Sequence, residues 1–214
     1  MARRYRLEYL RKKRARERQR ELRRRQQEMH ESEPSVLREL LGWLLYIIII
    51  IGVTYLIITY VGQRTKVVGD SMNPTLQSQD NLIVDKLSYR FRDPERYEII
   101  VFPYKYEENT YYIKRIIGLP GETVQVMDGS VYINGERLEE SFDLIEAGKE
   151  GIASEPITLG EDEYFVMGDN RNRSSDSRDS SVGVLKKDDF VGRAWIRIWP
   201  LKSIGVVSHE YENQ

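Results

Sequence analysis

Three patterns of polar and apolar positions follow one another along the chain. From Arg3 to Glu28 charged and helix-favouring residues run without Gly or Pro, and Leu7, Leu10 and Leu22 supply nearly all the aliphatic bulk. This predicts a helix with too few apolar positions for a coiled-coil seam or a packed core. Pro34 marks a break. From Leu40 to Val61, 22 residues carry no charge and include five consecutive isoleucines, Ile47 to Ile51. At about 1.5 Å per residue such a helix reaches roughly 33 Å, against a hydrocarbon core of about 30 Å. Trp43 and Tyr60 stand near its ends, where amphipathic aromatics favour the interface. The pattern predicts one transmembrane helix over 38–61.

Beyond it the apolar runs become short and β-branched or aromatic. Strands are expected over 81–85, 98–102, 111–117, 122–126, 130–133, 164–167 and 193–198, separated by turn signals such as Pro120-Gly121, Asp128-Gly129 and Asn134-Gly135. Asn134-Gly135, between Val131-Tyr132-Ile133 and Glu136-Arg137-Leu138, predicts a two-residue hairpin. Residues 139–160 are acidic, contain Gly and show no periodicity, and read as a long extended excursion from the sheet. The expected fold is mainly β, an antiparallel sheet domain over 62–214 behind the membrane helix and a leader over 1–35.

Charge gives this organisation a direction. The net charge of −1 hides a division: residues 1–39 hold 14 Lys/Arg against 7 Asp/Glu, whereas residues 62–214 hold 19 against 27. The positive-inside rule therefore places the leader in the cytoplasm and 62–214 outside. The leader itself fits a nucleic-acid tail, a patch for anionic lipid or a solvated helix whose charge only sets topology; the last, with some lipid attraction, is preferred. No alanine occurs between Arg16 and Glu146, and a cut after Gly62 would put Tyr60 at −3. The apolar segment thus reads as an uncleaved signal-anchor.

The composition narrows the chemistry. Without cysteine there is no disulfide framework, thiol nucleophile or Cys-based zinc site. Val67-Val68-Gly69-Asp70-Ser71-Met72-Asn73-Pro74-Thr75-Leu76 places a serine on a turn that Gly69 permits and Pro74 keeps from becoming helix. Such a serine is either a polar turn residue or an acyl-transfer nucleophile with an amide beside it for the oxyanion. Of the two histidines, His30 falls on the far side of the membrane and His209 in a polar tail. A base for Ser71 is then sought among lysines, which serve only when desolvation lowers their pKa from about 10.4. Lys114 fits best, with Tyr111, Tyr112 and Ile113 before it and Ile116, Ile117 and Leu119 after it. Strand alternation sends one of Lys114 and Arg115 inward and the other outward.

Gly69 to Leu76, Tyr112 to Glu122 and Val166 to Arg178 resemble the signature boxes of bacterial type I signal peptidases. Arg96 to Phe102 is similar to the remaining box, although Tyr97-Glu98 stands where Gly-Asp is usual. The resemblance covers 62–200 in the family's order, and the Gly-Asp-Ser-Met form is similar to Gram-positive enzymes. It implies a Ser-Lys serine peptidase, on the fold shared with LexA-like peptidases, that releases secreted proteins from signal peptides after small residues (Ala-x-Ala). It also implies an extracytoplasmic catalytic domain on the plasma membrane, no cofactor or metal, no nucleic acid, and secretory preproteins and membrane lipid as partners. Ser71 would be nucleophile and Lys114 general base. Ser174 would orient the lysine amine. Asp169 would pair with Arg115, and Asp176 with Arg178. Val67, Met72, Leu76, Tyr112 and Ile113 would line shallow pockets for small P1 and P3 side chains. Gly69 stands where some relatives carry an oxyanion-binding serine, so a backbone N–H, a water or the Ser71 amide alone must serve. Two alternatives stand beside this: an inactive membrane-tethered β binding module, and a LexA-like self-cleaving peptidase.

Overall fold

A computed structural model describes residues 2–32, 36–57, 62–108 and 110–209. Pro34, Tyr60 and Val61 lie outside the described residues, so neither the expected break nor the second aromatic anchor is among them. The chain divides into two compact units, Met1–Thr54 and Tyr55–Gln214.

The first unit is helical. Helix α1 spans Ala2–Ser32 and α2 spans Val36–Leu56. None of the residues of α2 is buried, although it is apolar on every side. By length and composition it is long and apolar enough to cross a membrane. Trp43 packs edge-on to Tyr46, with ring centroids 6.2 Å apart.

Among its described residues the second unit has twelve strands: β1 (Gly62–Lys66), β2 (Asn81–Asp85), β3 (Ile99–Pro103), β4 (Tyr111–Gly118), β5 (Thr123–Met127), β6 (Ser130–Ile133), β7 (Glu136–Arg137), β8 (Ile157–Thr158), β9 (Glu163–Met167), β10 (Leu185–Lys186), β11 (Gly192–Trp199) and β12 (Gly205–Val206). The larger sheet runs β1-β2-β11-β3-β4-β9-β10, with β12 added on β11, and the smaller runs β7-β6-β5-β8. Every pairing is antiparallel. All seven expected strands are present within a residue of their expected ends. The Asn134-Gly135 turn has φ of 54° and 84°, the left-handed pair that a two-residue hairpin needs.

Strand β4 lies inside the larger sheet, between β3 and β9, with Lys114 opposite Ile100 and Arg115 opposite both Ile99 and Met167. Both of its faces are covered. Val67, Met72, Leu76, Ile99, Val101 and Ile113 belong to one apolar cluster, while Ile100, Phe102, Ile116 and Val166 belong to another. Lys114 and Arg115 do point to opposite faces, but each face is packed, and both residues are 3% exposed. The expectation that one of them faces outward is therefore corrected.

Residues 139–160 also differ from a plain extended excursion. They contain a short 3-10 helix, Gly151–Ser154, and β8, and they bury Ile145, Ala153 and Leu159 in the smaller sheet's core.

Candidate active site

The turn after β1 is closed by backbone bonds at its base, from Val67 N–H to Asp80 C=O (2.8 Å) and from Gln79 N–H to Val67 C=O (2.9 Å). Gly69 takes φ +92°, in the left-handed region, and leaves open space where a side chain would stand. Met72 and Leu76, joined by a bond from Leu76 N–H to Met72 C=O, drop into the core at 1% and 0% exposure. Ser71 is left at the rim, half-buried, above the middle of β4.

Lys114 Nζ lies 2.8 Å from Ser71 Oγ and 3.1 Å from the Ile113 carbonyl oxygen. Burial pushes the Lys114 pKa down to about 8, against the opposing pull of the Asp176 and Asp169 carboxylates. An amine of that pKa is neutral in about a tenth of molecules at pH 7, against fewer than one in a thousand for a free lysine.

The loop after β9 supplies the floor. The Asn170 N–H donates to the Ser71 C=O (3.0 Å). Arg115 grips Asp169 with two bonds, Nε to Oδ1 at 2.8 Å and Nη2 to Oδ2 at 2.7 Å, and donates through Nη1 to the Tyr97 carbonyl. Arg178 grips Asp176 likewise, at 2.8 and 2.9 Å, and Asp176 also accepts the Gly168 N–H (3.0 Å). Both carboxylates are thus bound to arginine on packed sites. They serve as structural ties, which fits paired buried ions whose loss would leave an uncompensated charge.

The residues expected at the site separate into groups. Ser71, Lys114, Arg115, Asp169, Asp176 and Arg178 come together as described above. Val67, Met72, Leu76 and Ile113 share one cluster. Tyr112 does not join them: it stacks on Tyr104 with centroids 4.6 Å apart and stands 5.0 Å from Lys114 Nζ. Ser174 is not hydrogen-bonded to the lysine, and its Oγ is buried without a partner. A Cβ on Gly168 would lie 2.3 Å from that Oγ, so Ser174 is nevertheless at the site. Tyr97 adopts φ 70°, a conformation glycine takes freely, and Glu98 is buried against Arg92, Arg193 and Tyr89. The departures in that box therefore leave its backbone turn and its buried carboxylate in place.

Three features escaped the sequence reading. Gly168 is pressed against the Ser71 carbonyl oxygen, 2.4 Å from its would-be Cβ. Glu140 and Phe142 reach the arginines of the floor. His209 is not a tail residue: its ring is half-buried, with Nδ1 3.0 Å from Ile99 N and Nε2 2.9 Å from Arg193 Nε. Burial, aided by the Arg193 charge, pushes its pKa down to about 4. Among the described residues no group of His, Asp or Glu is arranged to hold a metal. A cavity of about 780 Å³ opens beside the turn, walled by Asn73, Thr75, Phe142 and Arg197 among others, but neither Ser71 nor Lys114 lines it.

The model of the family described as "Signal peptidase, peptidase S26" matches residues 40–199. The probable signal peptidase I-2 of Synechocystis sp. is 40% identical over 161 residues, which are 73% of this chain and 72% of that protein. Signal peptidase I P of Bacillus subtilis subsp. natto is 34% identical over 184 residues, 82% of this chain and 98% of its own length. A crystal structure of a signal peptidase I from Enterococcus faecalis V583 is 35% identical and covers 48% of this chain and 97% of its own, with a TM-score of 0.40. With three-quarters of its length matched by the family model and by relatives of this identity, the chain belongs to the signal peptidase, peptidase S26, family and is a serine endopeptidase.

Proposed function

We propose that the protein cleaves signal peptides from secretory preproteins with a Ser71–Lys114 dyad. The observation that carries this reading is the 2.8 Å approach of a buried, weakly basic amine to the hydroxyl of a serine on an exposed turn. Neutral Lys114 takes the Ser71 proton as Oγ attacks the scissile carbonyl, then returns it to the leaving amine. The same amine next activates water against the acyl-enzyme. The Ser71 N–H would donate to the oxyanion, whereas the Gly69 N–H is directed to Ser78 Oγ (3.4 Å). Ser174, whose hydroxyl lacks a partner, would hold the amine as it turns between substrate and nucleophile. An intact pair at this distance also argues against an inactive binding module, and the membrane-type helix against a LexA-like protein.

The pockets are proposed from Val67, Met72, Leu76 and Ile113, which are so buried that little depth remains for a substrate side chain. Tyr112 would flank the amine instead. An extra methylene in an apolar pocket is worth only about 1–3 kcal/mol, so strong selection for alanine must come from steric exclusion. Incubation with a preprotein carrying Ala-x-Ala is expected to release the mature chain, and Leu at P1 to lower kcat/KM by about a hundredfold or more. Equal turnover of the two substrates would remove the pocket assignment, and no cleavage of either would remove the proposed function.

The charge division supports a single-pass arrangement in the plasma membrane, with residues 1–35 cytoplasmic, 38–61 spanning and 62–214 outside. External protease on intact protoplasts is expected to digest the sheet domain and spare an epitope near Arg4. The reverse pattern would invert the topology and separate the site from its substrates.

A further inference from the structure

Residues 139–145 reach the floor of the site with side chains that the dyad chemistry does not use. Glu140 meets Arg171 in a two-pronged ion pair, with Nη2 to Oε2 at 2.8 Å, and the Arg171 side chain is fully buried. Two residues on, the Phe142 ring faces two cations: the Arg171 guanidinium stands 4.5 Å from its centroid and that of Arg115 5.5 Å. Each arginine is committed on its other side to the loop after β9. Arg171 Nε donates to the Gly168 C=O (3.1 Å), and Arg115 holds Asp169. The next residue in that loop, Asn170, donates its N–H to the Ser71 C=O. Excursion, arginines, loop and nucleophile are therefore linked by direct contacts throughout.

We propose that Glu140 and Phe142 are positioning residues for Ser71. They clamp Arg171 and Arg115, the arginines fix Gly168 and Asp169, and that segment fixes the carbonyl of the nucleophile. The proposal rests on Ser71 being the nucleophile. The aromatic face is the sensitive part. A ring that two guanidinium groups share holds them at a set separation, which an aliphatic side chain of similar bulk does not do. Glu140 is a poor test residue, because removing it leaves a buried, unpaired arginine and endangers the fold. Phe142 is only half-buried, so leucine, methionine and tyrosine are all accommodated there.

The full-length protein in detergent is assayed on a preprotein with alanine at P1, as wild type, Ser71→Ala, Phe142→Leu, Phe142→Met and Phe142→Tyr. Because sub-ångström misplacement of a nucleophile lowers turnover steeply, Phe142→Leu and Phe142→Met are expected to lower kcat by about tenfold with KM unchanged. Phe142→Tyr is expected to restore kcat, and the thermal unfolding of all three to stay close to wild type. A wild-type kcat in both aliphatic variants, a Tyr variant as slow as Leu, or a change confined to KM would each overturn the proposal. Failure of both aliphatic variants to fold while Tyr folds would also overturn it, by making Phe142 a structural residue. Activity in Ser71→Ala would instead refute the nucleophile itself, so the two failures are told apart.

Discussion

Gly168→Ala is expected to abolish cleavage while leaving the sheet domain folded. The added Cβ would stand 2.4 Å from the Ser71 carbonyl oxygen, 2.3 Å from Ser174 Oγ and 2.6 Å from Ser174 Cβ. Real Cβ contacts do not occur at such distances, and one of the three is backbone, so a rotamer change cannot relieve the overlap. The Ser71 turn and the loop after β9 must separate, which breaks or lengthens the bond from Asn170 N–H to Ser71 C=O. Displacement of a reacting atom by about 1 Å costs on the order of a hundredfold in rate, and Ser71 and Ser174 would both move. Overpacking of this kind costs about 1–3 kcal/mol of stability, which a domain with three apolar clusters tolerates. Gly205→Ala provides the control, since nothing lies within 4 Å of its would-be Cβ and its φ is ordinary. Turnover of preprotein and thermal unfolding, measured side by side, check the prediction. Near-normal turnover in Gly168→Ala would show that the loop does not constrain Ser71.

Lys114→Met and Lys114→Arg are both expected to lower kcat by about a thousandfold or more, for different reasons. Methionine fills the same slot between the packed faces of β4 but has no proton acceptor. Arginine keeps its charge at any working pH and cannot become the base. The stability of Lys114→Met should not fall, because it exchanges a 3% exposed amine, costly to bury, for an apolar chain of similar length. Circular dichroism and thermal unfolding then separate a dead site from a lost fold. Normal turnover in Lys114→Met would refute the dyad outright.

The parts of this molecule that were legible in the sequence are those whose signal is local. Ile47 to Ile51 and their uncharged surroundings needed only hydropathy, and Asn134-Gly135 needed only the left-handed φ that these residues accept. Lys114 was legible because a strand so apolar around one amine predicts its burial. The fate of Arg115 was not, because alternation tells which face a residue takes and not whether that face is covered. Strand β1 has the sequence Gly-Gln-Arg-Thr-Lys, with no apolar alternation; its place comes from pairing with β2 along Thr65↔Leu82 and Arg64↔Ile83. Ile145, Ala153 and Leu159 are too widely spaced to show a period, yet they fill the core of the smaller sheet. His209 read as tail because its neighbours are polar, but its ring is set by Ile99 and Arg193, 110 and 16 residues away respectively. Gly168 lay in a recognised box, and only the approach of Ser71, some hundred residues earlier, reveals why a side chain is excluded there.

The most direct test of the central claim is the pH dependence of kcat/KM for a preprotein with Ala-x-Ala, because it reports the ionisation of the base in the free enzyme. In the proposed dyad Lys114 would act as base only when deprotonated, and burial has pushed its pKa down to about 8. Activity is therefore low below that value, rises through a single ionisation near it and levels off above, well before the 10.4 of a free lysine. His209, whose pKa is pushed down to about 4, is already neutral across that range and contributes no limb there. A profile rising near pH 8 that is unchanged in His209→Ala is the predicted result. A profile that rises near pH 4 and is lost in His209→Ala would contradict the dyad and make the histidine the base.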